Sequence, residues 1–173
     1  MILIYAGRRQ TTDAQGMRER VGTLLDEIRP RLLVGSAAAG ADLLVLALAR
    51  ERDIPARVIL LGEVAEFERV SVADLGEEWS LRYREMLADT DVSVESVASP
   101  GPDRRAAHLM VNEVIVETAW RAAAKGEKVV ALAVTEPPGP RDPPSHPRRS
   151  VRSRAERRGW PVVTTHSAVH RQE

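Results

Sequence analysis

The chain has 173 residues, which suits one domain, and its 25 basic and 25 acidic residues leave a formal net charge of zero. That balance gives no general argument for a nucleic-acid or membrane partner, and the absence of cysteine excludes disulfides, thiolate metal sites and cysteine nucleophiles. Only 3% of the residues are aromatic, so the core must consist mainly of Val, Leu and Ala, which suits α/β layers better than a β-sandwich.

Apolar periodicity along the chain predicts alternating strands and helices. Short Val, Ile and Leu runs predict strands at residues 2–6, 32–34, 57–61, 92–97, 129–134 and 162–165. Apolar residues at helical spacing predict helices at residues 13–28, from 42 onward, 77–88 and 104–125, and a short basic helix within 148–158. Residues 62–76 are interpreted as a variable segment. The alternation predicts a Rossmann-like, doubly wound α/β fold with a mostly parallel sheet flanked by helices.

Proline and arginine become frequent from about residue 137 onward. This change predicts three segments within the single domain. Residues 1–136 are the expected Rossmann-like core, residues 137–158 a Pro/Arg-rich loop with a short basic helix, and residues 159–173 a final strand and C-terminal tail. The middle segment carries seven Arg, a charge excess that suits a phosphate backbone. It lacks interleaved aromatic residues, however, so a solvated loop is favoured over a surface for single-stranded nucleic acid.

The turn at residues 35–42, Gly-Ser-Ala-Ala-Ala-Gly-Ala-Asp, is the most informative segment. It leads a predicted buried strand into a helix, and the N–H groups at such a helix start lie at the positive end of the helix dipole, where phosphate binds. Small side chains would let the ligand approach the backbone. The alternative is a tight turn packed by small residues without a ligand. In parallel sheets, ligands sit beyond the carboxyl ends of the strands, which is where this turn is predicted to lie.

Several motifs occur in a characteristic order along the chain. They are Gly7-Arg8 after the first strand, the turn at 35–42, Phe67-x-x-x-Ser71-Val72, Trp79-x-x-Arg82-Tyr83, the helix with Asn112, and the strand at 129–134. Together they resemble the SLOG superfamily, which includes the Smf/DprA proteins and the LOG phosphoribohydrolases. The resemblance is nearest to the branch found beside cyclase, repeat and bacterial-conflict modules, and it covers about residues 1–165. It implies binding of a nucleotide or nucleotide-derived signal at the edge of the sheet.

The hydrolytic members of that superfamily carry a Pro-Gly-Gly-x-Gly-Thr-x-x-Glu loop after a late strand. Residues 136–142 stand at the corresponding place and read Glu-Pro-Pro-Gly-Pro-Arg-Asp, without the Gly-Gly-Thr and without a Glu at the right spacing. This departure argues against hydrolysis, and no cofactor is expected. The four histidines lack metal-ligand spacing, so no metal site is expected either.

The expected ligand contacts combine the turn with four residues from other segments. Backbone N–H groups of residues 36–42 would cradle a phosphate, and Arg8 would neutralise its charge. Asp42 is interpreted as a helix cap or as a contact to a ribose hydroxyl. Gly40→Glu is expected to abolish anion binding and leave the fold intact. The full set is Gly7, Arg8, Gly35, Ser36, Ala37, Ala38, Ala39, Gly40, Ala41, Asp42, Ser71 and Asn112.

Several other polar and aromatic residues are expected to be structural. Arg9 is expected to be solvated, and Trp79 and Tyr83 are expected to belong to the core. Glu113 and Glu117 lie four residues apart on one helix and are expected to form a solvated face.

Three functions are compatible with the sequence. The first is a phosphate-binding module that recognises a nucleotide or an ADP-ribose-like ligand in sensing, signalling or bacterial defence. The second is a LOG-type hydrolase of the nucleoside-phosphate N-glycosidic bond, and the third is a protein- or DNA-interaction scaffold with an empty pocket. A nucleotide-derived small molecule is the expected partner, nucleic acid is not expected, and a homodimer or larger signalling assembly is implied by the resemblance alone. No apolar run reaches the roughly 20 residues that span a bilayer, so no membrane partner and a cytoplasmic location are expected.

Overall fold

A six-stranded sheet forms the centre of the molecule in the computed structural model, which describes residues 1–10, 13–98, 104–135 and 150–165. The strands are β1 (Ile2–Gly7), β2 (Leu32–Gly35), β3 (Ala56–Leu61), β4 (Val92–Val97), β5 (Val129–Val134) and β6 (Val162–Thr164). Their order across the sheet is β4-β3-β2-β1-β5-β6, and every neighbouring pair is parallel. The helices are α1 (Ala14–Ile28), α2 (Ala41–Arg50), α3 (Val64–Ser71), α4 (Glu77–Leu87), α5 (Arg104–Ala122) and α6 (Val151–Arg157).

The helices cover both faces of the sheet, because successive side chains of a strand point to opposite faces. Leu3 and Tyr5 of β1 pack into a core shared with α1, α2 and α4. Ile2 and Ile4 pack into a second core shared with α5 and α6. The chain moves outward from β1 to β4 and then returns to place β5 on the other side of β1. The sheet therefore has a topological switch point between β1 and β5, and the predicted doubly wound α/β fold is confirmed.

The six predicted strands are all present, and five helices lie where the sequence predicts them. Residues 62–76 differ from the prediction, because they form α3 and a single 3-10 turn, Ala73–Leu75. Phe67 is the one buried residue of α3, and its ring stacks on that of Tyr83 with centroids 6.0 Å apart. A helix that buries a single side chain gives no apolar stripe, so periodicity does not detect it.

Some predicted features lie outside the described residues. They are the loop at 99–103, the segment 136–149 that includes the counterpart of the hydrolase loop, and the tail at 166–173. Within the described ranges, no helix is both long enough and apolar enough to cross a bilayer. Across the same residues, no three His, Asp or Glu side chains come together in a way that could hold a metal ion.

Candidate functional site

The carboxyl ends of all six strands lie at one edge of the sheet, because every pair is parallel. Arg8 follows β1 and donates its backbone N–H to the carbonyl oxygen of Val134 at the end of β5, 3.2 Å away. The turn at residues 36–40 follows β2 and leads into α2 at the same edge. The structure thus brings the predicted turns after β1 and β2 together, beside the switch point.

A groove of about 1100 Å³ begins at this edge and follows the outer surface of α2, between α1 and α4. We call it the α2 groove. Arg8, Gly40 and Ala41 line it at the edge of the sheet, and Leu44 and Ala47 line it along α2. The other lining residues are Arg9, Gln10, Ala14, Gln15, Met17, Arg18, Leu43, Arg50, Glu51, Leu75, Trp79, Arg82, Glu85, Met86 and Val134. Three of the twelve predicted contacts therefore line the groove.

Two predicted glycines have packing partners within the protein. A Cβ atom at Gly35 would lie 2.4 to 2.6 Å from the ring of Tyr5, which is buried and donates its hydroxyl to the carbonyl of Ser36 at 2.8 Å. A Cβ atom at Gly7 would lie 2.4 Å from the Cβ of Ala41, where α2 meets β1. Both positions need glycine for close packing, whether or not a ligand binds.

Gly40 joins the turn to the end of β1. Its backbone has φ 98° and ψ −125°, a region that side chains disfavour, and a Cβ atom there would lie 2.1 Å from the carbonyl oxygen of Arg9. The next N–H, that of Ala41, donates to the carbonyl of Arg8 at 3.0 Å. The expectation that Gly40→Glu leaves the fold intact is wrong for this reason, because any side chain there meets backbone atoms.

Three of the seven backbone N–H groups expected to cradle phosphate already have protein acceptors. The N–H of Ala38 donates to Oδ2 of Asp42 at 3.3 Å, that of Ala39 to the carbonyl of Ser71 at 3.0 Å, and that of Ala41 to Arg8. Ser71 thus meets the turn through its backbone carbonyl, at the end of α3. In this conformation these three N–H groups fit the alternative of a tight turn packed without a ligand.

Exposure alternates along the turn. Ala37, Ala39 and Ala41 are buried, whereas Ser36, Ala38, Gly40 and Asp42 are partly exposed. A ligand that approaches the edge of the sheet would therefore meet the partly exposed residues and not the three buried alanines.

Asp42 lies in the first turn of α2, whose N-cap is Gly40, and its carboxylate accepts from the N–H of Ala38 in the turn and not from the helix. Burial raises the pKa of its carboxyl from 3.8 to about 7, although the N–H of Ala38 and the charge of Arg9 act in the opposite direction. The residue as a whole keeps intermediate exposure, which limits the free energy that this pKa shift represents. Burial, with the nearby Asp42 charge, also raises the pKa of Tyr5 well above its usual value. The carboxyl of Asp42 therefore changes charge near neutral pH, beside the start of α2.

The side chain of Arg9 keeps 39% exposure, which fits the expectation of a solvated residue, but it also makes contacts that the sequence does not predict. Its Nη1 donates to Oδ2 of Asp74 at 2.9 Å, and its Nη2 donates to the carbonyl of Ser71 at 3.0 Å. Its Nε is buried and has no hydrogen-bond partner among the described residues. Arg9 thus fixes the turn after β1 to the segment after α3. The sequence gives no signal for this contact, since Arg9 and Asp74 are 65 residues apart.

Trp79 and Tyr83 have different environments. Tyr83 is fully buried, as expected, and donates its hydroxyl to the carbonyl of Val64 at 3.1 Å. Trp79 is only partly buried and lines the α2 groove, with the guanidinium of Arg82 5.2 Å from its ring centroid. Arg82 also forms a surface ion pair with Glu78.

Asn112 lies apart from the other predicted contacts. It belongs to α5, which packs on the face of the sheet opposite to α1, α2 and α4, and it is not part of the α2 groove lining. Glu113 and Glu117, expected to form a solvated face, have side chains that are 49% and 38% exposed, and they also form ion pairs with Arg154 and Arg158, which join α5 to α6 and the turn after it.

The parallel sheet, the helices on both faces and the switch point define an α/β protein of the Rossmann type. No protein-family model matches the chain, and no curated protein matches it. Among solved structures it is similar to DNA processing protein A (DprA) from Streptococcus pneumoniae, with a TM-score of 0.46 and 14% sequence identity. The similarity covers 93% of this chain and 57% of that one, so the chain spans little more than half the length of DprA.

Proposed function

We propose that the protein binds a phosphate-containing, nucleotide-derived ligand in the α2 groove, as a sensing module. The observation that carries the proposal is the composition of that groove, which combines cationic and apolar surface. Arg8 lies at the edge of the sheet beside the start of α2, and Leu44, Ala47 and Trp79 offer apolar contacts. A phosphate beside Arg8 and a planar base against these side chains would match that arrangement.

Arg8 and the start of α2 favour an anion at the edge of the sheet, whereas the carboxyl of Asp42 opposes one when it is ionised. The guanidinium of Arg8 provides a planar pair of donors for phosphate oxygens, and the start of α2 carries the positive end of its dipole. Because Ala38, Ala39 and Ala41 already donate within the protein, side chains and not a backbone cradle would supply most of the neutralisation. The motifs that resemble the SLOG superfamily support the same class of ligand. The missing Gly-Gly-Thr at residues 136–142 favours sensing over hydrolysis.

A thermal-shift screen of the protein tests the proposal. The probes are mononucleotides, NAD, ADP-ribose, cyclic ADP-ribose and cyclic dinucleotides. A ligand present at roughly a hundredfold excess over its Kd adds about 2.7 kcal/mol of stability, which raises Tm by several degrees. We expect at least one probe to give such a shift, and chromatography of the mixture to show no released base.

Arg8→Ala is the variant that connects the shift to the α2 groove. It is expected to remove most of the ligand-dependent rise in Tm, because one side of the phosphate would lose its charge partner. Arg69→Ala is the matched control, since Arg69 is exposed on α3 and does not line the groove. An equal ligand-dependent rise in both variants, or no rise in the wild-type protein with any probe, would contradict the proposal.

A further inference from the structure

Two tryptophans and an arginine form a cluster at the surface, and none of the three lines the α2 groove. The rings of Trp120 and Trp160 stack with centroids 6.3 Å apart and planes 24° apart. The guanidinium of Arg158 lies 5.9 Å from the centroid of Trp120 and 5.6 Å from that of Trp160. We call these three residues the tryptophan patch.

The tryptophan patch lies at the edge of the sheet opposite to the candidate site. Trp160 comes just before β6, so it lies at the amino end of that strand. Trp120 is near the carboxyl end of α5, a helix that precedes β5 and leads the chain back to the amino edge. The α2 groove begins at the carboxyl edge. The two surfaces are therefore distinct.

The two rings have different relations to the core. Trp160 is partly buried and packs against the core shared by α5 and α6. Trp120 is 56% exposed, the largest exposed fraction among the large apolar side chains of the described residues, and it belongs to neither core. Packing in the core thus explains why a large apolar side chain stands at Trp160. It does not explain Trp120, most of whose side chain is in contact with solvent. A solvent-exposed ring, supported by a second ring and a guanidinium, is a surface on which another planar group can stack.

The charge around the tryptophan patch is positive. Residues 113–127 and 150–158, which surround it in the chain, hold four carboxylates, and each forms an ion pair: Glu113, Glu117, Glu127 and Glu156. The same residues hold six cations: Arg121, Lys125, Arg152, Arg154, Arg157 and Arg158. An anionic partner is therefore favoured.

We propose that the tryptophan patch binds single-stranded nucleic acid, with a base stacked on Trp120 and the phosphates beside the surrounding cations. Sites of this kind combine aromatic rings with a positive surface and tolerate many sequences. A stable protein interface needs about 800 Å² from each partner and an apolar centre. Trp120 is the one large exposed apolar side chain in the described parts of α5 and α6, so this surface offers little of the apolar centre that a protein partner needs, and a nucleic acid fits better. The sequence does not predict this site, because its second ring comes from α5, 40 residues before Trp160.

Fluorescence anisotropy of a labelled oligothymidine at low salt tests the proposal. We expect the wild-type chain to bind it, with an affinity that falls as salt is added. Trp120→Ala is expected to weaken binding at least about tenfold, and Trp120→Phe to retain part of the affinity because it keeps an aromatic ring. Leu81→Ala is the matched control, since Leu81 is a similarly exposed apolar residue on α4, on the other face of the sheet. Circular dichroism establishes that each variant is folded.

Trp120→Ala separates this proposal from the proposed function. It is expected to leave the nucleotide-dependent rise in Tm unchanged, because Trp120 does not line the α2 groove. Loss of oligonucleotide binding in Arg8→Ala, but not in Trp120→Ala, would overturn the tryptophan patch as the site and assign binding to the groove. Absence of oligonucleotide binding by the wild-type chain would also overturn it. Concentration-dependent self-association that Trp120→Ala abolishes, without oligonucleotide binding, would assign the patch to a protein interface instead.

Discussion

Replacing Gly40 with alanine is expected to destabilise the protein by about 3 kcal/mol or more. Two costs combine at this position. The backbone conformation, φ 98° and ψ −125°, is one that non-glycine residues rarely adopt, and the new Cβ would lie 2.1 Å from the carbonyl oxygen of Arg9. Because the obstructing atom is backbone, the turn after β1 or the start of α2 would have to move. Urea denaturation followed by circular dichroism measures the loss.

Gly126→Ala is the matched control for that variant. Gly126 also has a positive φ, 80°, but a Cβ atom there would meet nothing within 4 Å. Its replacement is expected to cost only the conformational strain, about 1 kcal/mol. Equal losses at the two positions would show that the contact between residue 40 and Arg9 does not limit the fold. Because Gly40 variants are expected to perturb folding, a loss of ligand binding in them would not locate the site, and Arg8 is the better position for that purpose.

Asp42→Asn is expected to stabilise the protein at about pH 8 by roughly 2 kcal/mol and to have much less effect at about pH 4. The folded-state pKa of Asp42 is raised from 3.8 to about 7, so the folded protein holds this proton more tightly than the unfolded chain. The contribution of Asp42 to the free energy of unfolding is therefore most favourable below pH about 4. It declines as the pH rises and is constant above pH about 7. The full shift corresponds to about 4 kcal/mol, and partial exposure of the residue reduces it.

The amide that Asp42→Asn introduces would keep an oxygen acceptor for the N–H of Ala38 while removing the charge. Denaturant titrations of both proteins between about pH 4 and pH 8 measure the difference in their free energies of unfolding. That difference is expected to grow with pH across this window. A constant difference would mean that Asp42 ionises in the folded protein as it does in the unfolded chain.

The sequence predicts the architecture well, because the strands of a parallel sheet are continuous apolar runs and the larger helices carry clear apolar stripes. It does not predict α3, in which Phe67 alone is buried. The turn at residues 35–42 is also correctly placed after β2. The roles within it depend on distant partners, such as Tyr5 beside Gly35 and Ser71 beside Ala39. Local patterns hold no information on those pairings.

The arginine contacts show the same limit. Arg9 meets Asp74, and Arg158 meets Trp120, across long separations in sequence. Each of these side chains is ordinary within its own segment. Only the folded chain shows that Arg9 connects the turn after β1 to Asp74 beside the α2 groove, and that Arg158 packs against the exposed ring of Trp120.

The position of β1 at the centre of the sheet has a consequence for the order of folding. Ile2 pairs with Leu32 on one side and with Val129 on the other. One neighbour of β1 is therefore close to it in the sequence, and the other is far away. Pairings between distant segments form slowly, because the intervening chain must first be closed into a loop. One edge of β1 therefore remains unpaired until β5 has docked. The pairing of β5 with β1 is thus the expected slowest step of folding, even though β1 precedes every other strand in the sequence.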